Sequence, residues 1–254
     1  MSRHIEILRK AQLDGELFAR TVSAGSNGSA AAAAPCAAPP RQWGDGGRRD
    51  QWQHLAHELF LRRSPATDRA IGLASATAGE GTSHVASHVA AELARATGRP
   101  TLLLEANLYR PSLAERLAVE PDPGLRHLLL DRTFPLEACV RPSGTDWLSL
   151  LPAGSPPEGF GGTPDWGRLA EIFDALRAQF GGIVADLPPV NQSSDSVLIG
   201  PWLDGVALVV EADLCSREVI QNAASRLQRA NPNLLGTILN KRKFFVPAPI
   251  YRRL

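Results

Sequence analysis

The chain has 254 residues, 44% of them hydrophobic and 21% charged, enough to bury one substantial core. A formal net charge of +1 argues against a global field that would draw it to nucleic acid, so no nucleic-acid partner is expected. Cys36, Cys139 and Cys215 lie far apart without ligand-like spacing, against a zinc site or a disulfide framework and in keeping with a reducing cytoplasm.

In chain order, residues 1–21 place Ile5, Leu8, Leu13, Leu17 and Phe18 at helical spacing among charged residues and predict an amphipathic leader helix. Residues 22–49, rich in Ala, Gly, Ser and Pro, predict a flexible linker. From residue 50 to 254 the pattern is that of one domain. Trp52, Leu55, Leu59 and Phe60 mark a helix, Ala70–Ala76 a short apolar strand, and a glycine-containing turn leads into a helix from about Ser83.

Further strands are predicted at Pro100–Glu105, Gly182–Asp186, Gly205–Glu211 and Leu235–Leu239, with helices at 164–180 and 217–230. Phe173, Leu176 and Phe180 would face the sheet. Compact apolar strands alternating with helices predict an α/β fold, a mostly parallel sheet with helices on both faces. The longest apolar stretch, Val197–Val210, is broken by Pro201, Asp204 and Gly205 and is too short to span a membrane; no export signal is read at the N-terminus.

The segment Ser75-Ala-Thr-Ala-Gly-Glu-Gly-Thr-Ser-His84 lies between a strand and a helix, where backbone amides can cradle an anion. A phosphate-binding loop of the form G-x-x-x-x-G-K-[ST] would place lysine where Thr82 stands; Ser83 keeps the metal-binding hydroxyl, and Gly79 and Gly81 keep a bare backbone. Gly79, Glu80, Gly81, Thr82, Ser83 and His84 are the candidate nucleotide contacts. His84 also reads as a solvated residue of the first helical turn.

This loop, followed by Leu-Leu-Leu-Glu-Ala-Asn-Leu-Tyr-Arg-Pro-Ser-Leu at 102–113, resembles the bacterial tyrosine kinase (BY-kinase) family of deviant P-loop NTPases, with a MinD/ParA-like fold. The resemblance continues through Gly124-Leu125, Leu151–Pro157, Asp186–Val190, Asp195 and Leu235–Asn240, in family order. It implies a cytoplasmic component of exopolysaccharide or capsule synthesis and export, at the inner face of the cell membrane through a membrane chain-length-determinant (polysaccharide co-polymerase) partner. It also implies ATP with Mg2+ as cofactors, Ser83 and Asp186 as metal residues, Asp186 as the surviving Walker B carboxylate, and Asn240 near the nucleotide base.

The chain departs from that family where the chemistry lies. A charge-assisted hydrogen bond to phosphate is worth roughly 1.5–3 kcal/mol, so losing the lysine at Thr82 weakens nucleotide binding by about tenfold to a hundredfold, or abolishes it. The family's paired aspartates become Glu105 and Asn107; the former carries its charge one methylene too far for a metal shell at about 2.1 Å, and the latter cannot act as a base. Two tyrosines, Tyr109 and Tyr251, replace a C-terminal cluster. The ring-forming E-x-x-R-x-x-R motif falls on Asp50, Gln53 and Ala56, without its arginines.

The expectation is a degenerate kinase acting as a regulatory or binding subunit. The alternatives are an active ATPase or kinase with a substitute cation such as Arg110, or a MinD/ParA-like positioning ATPase. Lys241, Arg242, Lys243, Arg252 and Arg253, among aromatic residues of the tail, offer peripheral contact with a membrane.

Overall fold

Each apolar strand must bury both of its faces, and alternate side chains do so on opposite sides of the sheet. In strand β3 (Thr101–Glu105), Leu102 and Leu104 enter one core and Leu103 the other. The computed structural model describes residues 4–8, 49–62, 69–155, 163–212, 214–229 and 233–242.

The other elements are β1 (His4–Leu8), α1 (Arg49–Ala56, prolonged by a π turn His57–Leu61), β2 (Arg69–Ser75), α2 (Thr82–Thr97), α3 (Leu113–Leu117), α4 (Leu125–Leu130), β4 (Arg141–Pro142) and β5 (Leu148–Leu151). They continue with α5 (Leu169–Gln179), β6 (Gly182–Asp186), α6 (Asp195–Ile199), β7 (Gly205–Glu211), α7 (Arg217–Arg229) and β8 (Leu234–Arg242). The eight strands form one sheet in the order β1-β8-β7-β2-β6-β3-β5-β4. The run from β8 to β5 is parallel; only the edge pairs β1–β8 and β5–β4 are antiparallel.

Helices α1, α2 and α3 cover one face through Trp52, Leu55, Val85, Val89, Leu113 and Leu117. Helices α4 to α7 cover the other through Leu128, Phe173, Leu176, Ile199 and Leu227. The expected mostly parallel sheet, covered on both sides, is therefore present. The consequence for function is geometric: the carboxyl ends of β2, β3, β6, β7 and β8 share one edge, the place where parallel sheets bind ligands.

One expectation is corrected. His4–Leu8, placed in a leader helix, forms strand β1, pairing antiparallel with β8 from His4 opposite Arg242 to Leu8 opposite Thr237. The segment His-Ile-Glu-Ile-Leu carries a period-two pattern with two β-branched residues, which suits a strand added to an otherwise open edge. The rest of the leader, the linker up to residue 48 and the basic tail from residue 243 lie outside the described residues.

Candidate nucleotide-binding site

The loop from Ala76 to Gly81 leaves the end of central strand β2 and enters the 16-residue helix α2. Two left-handed residues make the turn: Gly79 at φ 89° and Gly81 at φ 92°. The helix has no side-chain cap, and the amides of its first turn, as in any helix, have no intrahelical acceptor.

Gly81 is constrained twice, because a Cβ there would run into Asn240 Nδ2, whereas a Cβ on Gly79 meets nothing within 4 Å. Gly79→Ala is therefore expected to cost only the left-handed backbone, about 1 kcal/mol. Gly81→Ala, which also displaces Asn240, should cost about 2–3 kcal/mol. Thermal unfolding of the two variants side by side checks the difference.

The side chain of Glu80 braces the loop. It is fully buried; its Oε1 accepts from Thr77 N at 2.7 Å, Thr77 Oγ1 at 2.6 Å and Cys215 Sγ at 3.1 Å, and its Oε2 from Glu211 N at 3.3 Å. Asn240 works to the same end: Nδ2 donates to Glu80 O at 2.8 Å and Oδ1 accepts from Lys241 N at 2.8 Å. The loop keeps its shape through bonds to β7 and β8, with Thr82 buried at the first helical position.

Asp186 ends β6 directly opposite Glu105 at the end of β3. The two carboxylates have different fates. Glu105 Oε1 accepts from Ser112 N at 2.5 Å and Leu113 N at 2.6 Å, and Oε2 from Ala153 N at 3.1 Å. Glu105 thus caps the start of α3 and ties down the segment after β5; its charge serves the backbone. Asp186 is equally buried, yet neither of its oxygens has a hydrogen-bond partner. Burial, reinforced by the neighbouring Glu105 carboxylate, pushes its pKa up to about 7, against the opposing pull of the nearby Ser83 hydroxyl and the Arg116 guanidinium.

Ser83 is close enough to Asp186 to moderate that shift without closing a well-formed hydrogen bond. The pair therefore brings the loop and the end of β6 to one place. The chain after β6 is stitched there as well, Val190 N donating to Ser75 O at 2.9 Å and Asn191 N to Ala76 O at 3.3 Å. Among the described residues no cluster of three or more His, Cys, Asp or Glu side chains could hold a metal. An orphaned carboxylate beside one hydroxyl nevertheless fits Mg2+, which keeps several waters and takes one or two protein oxygens when phosphate oxygens complete its shell.

The remaining candidates lie at the margin. Asn107 Oδ1 accepts from Arg110 N at 3.2 Å, closing a turn after β3, and Arg110 is exposed. His84 is half-buried. It packs edge-on to Trp52 at 5.6 Å and against His88 at 4.3 Å, with Nδ1 3.2 Å from an Arg116 nitrogen. On α1, Asp50 and Gln53 are exposed and Ala56 is buried.

Two cations were not anticipated as site residues. Arg116 of α3 lies 3.2 Å from His84 Nδ1 and acts electrostatically on Asp186, and Lys241 Nζ donates to Gly79 O at 2.5 Å and pairs with Glu211 at 2.7 Å. Sequence alone carries a faint signal for Lys241, as the residue after the Leu-Asn pair that ends the last core strand, and none for Arg116.

No family model matches the chain. Among curated proteins it is 27% identical over 175 residues to the tyrosine-protein kinase YwqD of Bacillus subtilis (strain 168), covering 69% of this chain and 73% of that protein. It is 29% identical over 191 residues to the succinoglycan biosynthesis transport protein ExoP of Rhizobium meliloti (strain 1021), covering 74% of this chain but 24% of ExoP. Among solved structures, the VpsO kinase domain aligns at a TM-score of 0.64 and 27% identity, over 77% of this chain and 97% of that one. The septum site-determining protein MinD of Pyrococcus horikoshii OT3, complexed with Mg-ADP, aligns at a TM-score of 0.58 and 20% identity, over 66% and 68%, a likeness of fold. The chain is thus similar in sequence to bacterial tyrosine-protein kinases and has the fold that they share with MinD.

Proposed function

We propose that this chain is a nucleotide-binding relative of the tyrosine kinases that has lost phosphoryl transfer, and that it serves as a regulatory or docking subunit in exopolysaccharide synthesis and export. In this reading it works at the cytoplasmic face, on a membrane-embedded chain-length determinant. ExoP, by its name a biosynthesis transport protein for one such polysaccharide, supports the pathway. No described helix is long and apolar enough to cross a membrane.

The observation that carries the loss of transfer is the use of Glu105. A kinase needs carboxylates free to hold metal and to take the proton of an attacking hydroxyl. Here one of the two acidic strand ends is spent on three backbone amides, and Asn107, two residues further, cannot accept a proton. Binding is another matter. The amides of Gly79 to Ser83 offer donors to phosphate oxygens, and Ser83 with Asp186 would hold Mg2+. When bound, Mg2+ would neutralise negative charge on the phosphate. Asp186, its pKa pushed up to about 7, would have to be deprotonated to hold the ion.

The test is incubation of the full chain with Mg2+ and ATP labelled at the terminal phosphate, followed by phosphotyrosine analysis. Unlabelled protein with nucleotide retained is the expected result. Label on Tyr109, Tyr251 or an added substrate tyrosine overturns the reading.

A further inference from the structure

Strand β8 ends in an uncommon way. Lys241 has φ 57°, a left-handed conformation that non-glycine residues rarely adopt and that needs its surroundings to hold it. Buried Asn240, bonded to the loop carbonyl of Glu80, is what holds it. At this turn the Lys241 side chain reaches back to the loop: Nζ lies 2.5 Å from Gly79 O, and Cε would lie 3.6 Å from a Cβ placed on Gly81. The ammonium therefore touches the same glycine pair that precedes Thr82, the position where the loop lost its lysine.

The pair formed by Lys241 with Glu211 is partly open to solvent, with side-chain exposures of 23% and 22%. An ammonium has three donors; Gly79 O and Glu211 Oε2 take two, and one is left. A polyphosphate brings more negative charge than the single Glu211 carboxylate and would compete for that ammonium. Arg116, by contrast, lies 3.2 Å from His84 Nδ1 and acts electrostatically on Asp186.

We propose that Lys241 supplies from the last strand the positive charge missing at residue 82, as a phosphate-binding residue for a nucleoside polyphosphate, with Glu211 holding it beside the loop until the ligand arrives. This rests on the reading that the loop binds nucleotide phosphates.

The experiment is calorimetric titration of the full chain with ADP and with pyrophosphate, comparing wild type with Lys241→Met, Lys241→Gln and Lys241→Arg. All three carry the same left-handed backbone cost, so the comparison isolates the side chain. Met and Gln are expected to weaken both ligands by roughly tenfold to a hundredfold, the range of one charge-assisted hydrogen bond, and Arg by less than about threefold. Gln binding as tightly as wild type would make Lys241 a neutral latch on Gly79 O and overturn the proposal, as would unchanged binding by Met. Wild-type protein that binds neither ligand at millimolar concentration would sink the underlying reading and this proposal with it. Thermal unfolding without ligand confirms that each variant is folded.

Discussion

Glu105→Ala is expected to destabilise the fold by on the order of 3–6 kcal/mol, because it orphans three backbone amides at about 1–2 kcal/mol each. For a domain of this size that is a fall in melting temperature of roughly 6–20 °C. Urea unfolding measures it directly. The reason for so large an effect is that Ser112, Leu113 and Ala153 all donate to this one carboxylate, and Leu113 and Ala153 are fully buried where water cannot substitute. Glu105→Asp shortens the reach, so it should lose part of that stability and gain no nucleotide affinity. Were Glu105 a ligand to metal, the opposite pattern would appear, with stability unchanged and Mg2+ dependence altered.

Asp186 carries the second large effect, and it is visible in pH. Its folded pKa of about 7 lies above the ordinary aspartate value of 3.8 found in the unfolded chain. Between those values the folded state binds more protons than the unfolded state, so stability falls as pH rises. The penalty is absent below about pH 4 and fully present above about pH 7, and amounts to a few kcal/mol at most. Asp186→Asn removes the titration. It is expected to flatten the pH dependence and to stabilise the apoprotein at pH 8 by roughly 1–3 kcal/mol, while abolishing any tightening of nucleotide binding by Mg2+. Unfolding midpoints across pH 4 to 8 for both proteins check the first part; an unchanged slope in the variant would remove Asp186 as its source.

Strong, local signals made most of the fold legible. Strands β6 and β7 fall on the expected residues, α7 within one residue, and β2 and β3 within a residue or two, because runs of four or more apolar residues between breakers have few other solutions. The five-residue helices α3 and α6 and the short strands β4 and β5 are too brief to show a period. Strand β1 was misread because Ile5, Leu8, Leu13 and Leu17 also satisfy helical spacing, and its pairing with β8 is a long-range choice that no local window contains.

Of the site, the strand-to-helix loop, its two glycines and Asp186 were visible as types in order. What each carboxylate does was not. The block Arg-Pro-Ser-Leu at 110–113 and the block Leu-Pro-Ala-Gly at 151–154 read as family marks, and the structure gives them a physical reason, since both present amides to Glu105. Likewise Gly124 and Leu125 pack directly on Pro152 and Ala153, where any Cβ on Gly124 would strike the backbone. Lys241 was read as part of a basic tail because its reach to Gly79 depends on a single left-handed residue.

The proposed function requires a loop whose amides still donate to phosphate without the lysine at residue 82. Calorimetric titration of the wild-type chain with ADP, with and without Mg2+ at pH 8, tests this most directly. A dissociation constant on the order of 10–1000 μM, about −7 to −4 kcal/mol, that tightens when Mg2+ is added is the predicted result. Absence of binding at millimolar ADP under both conditions would contradict it.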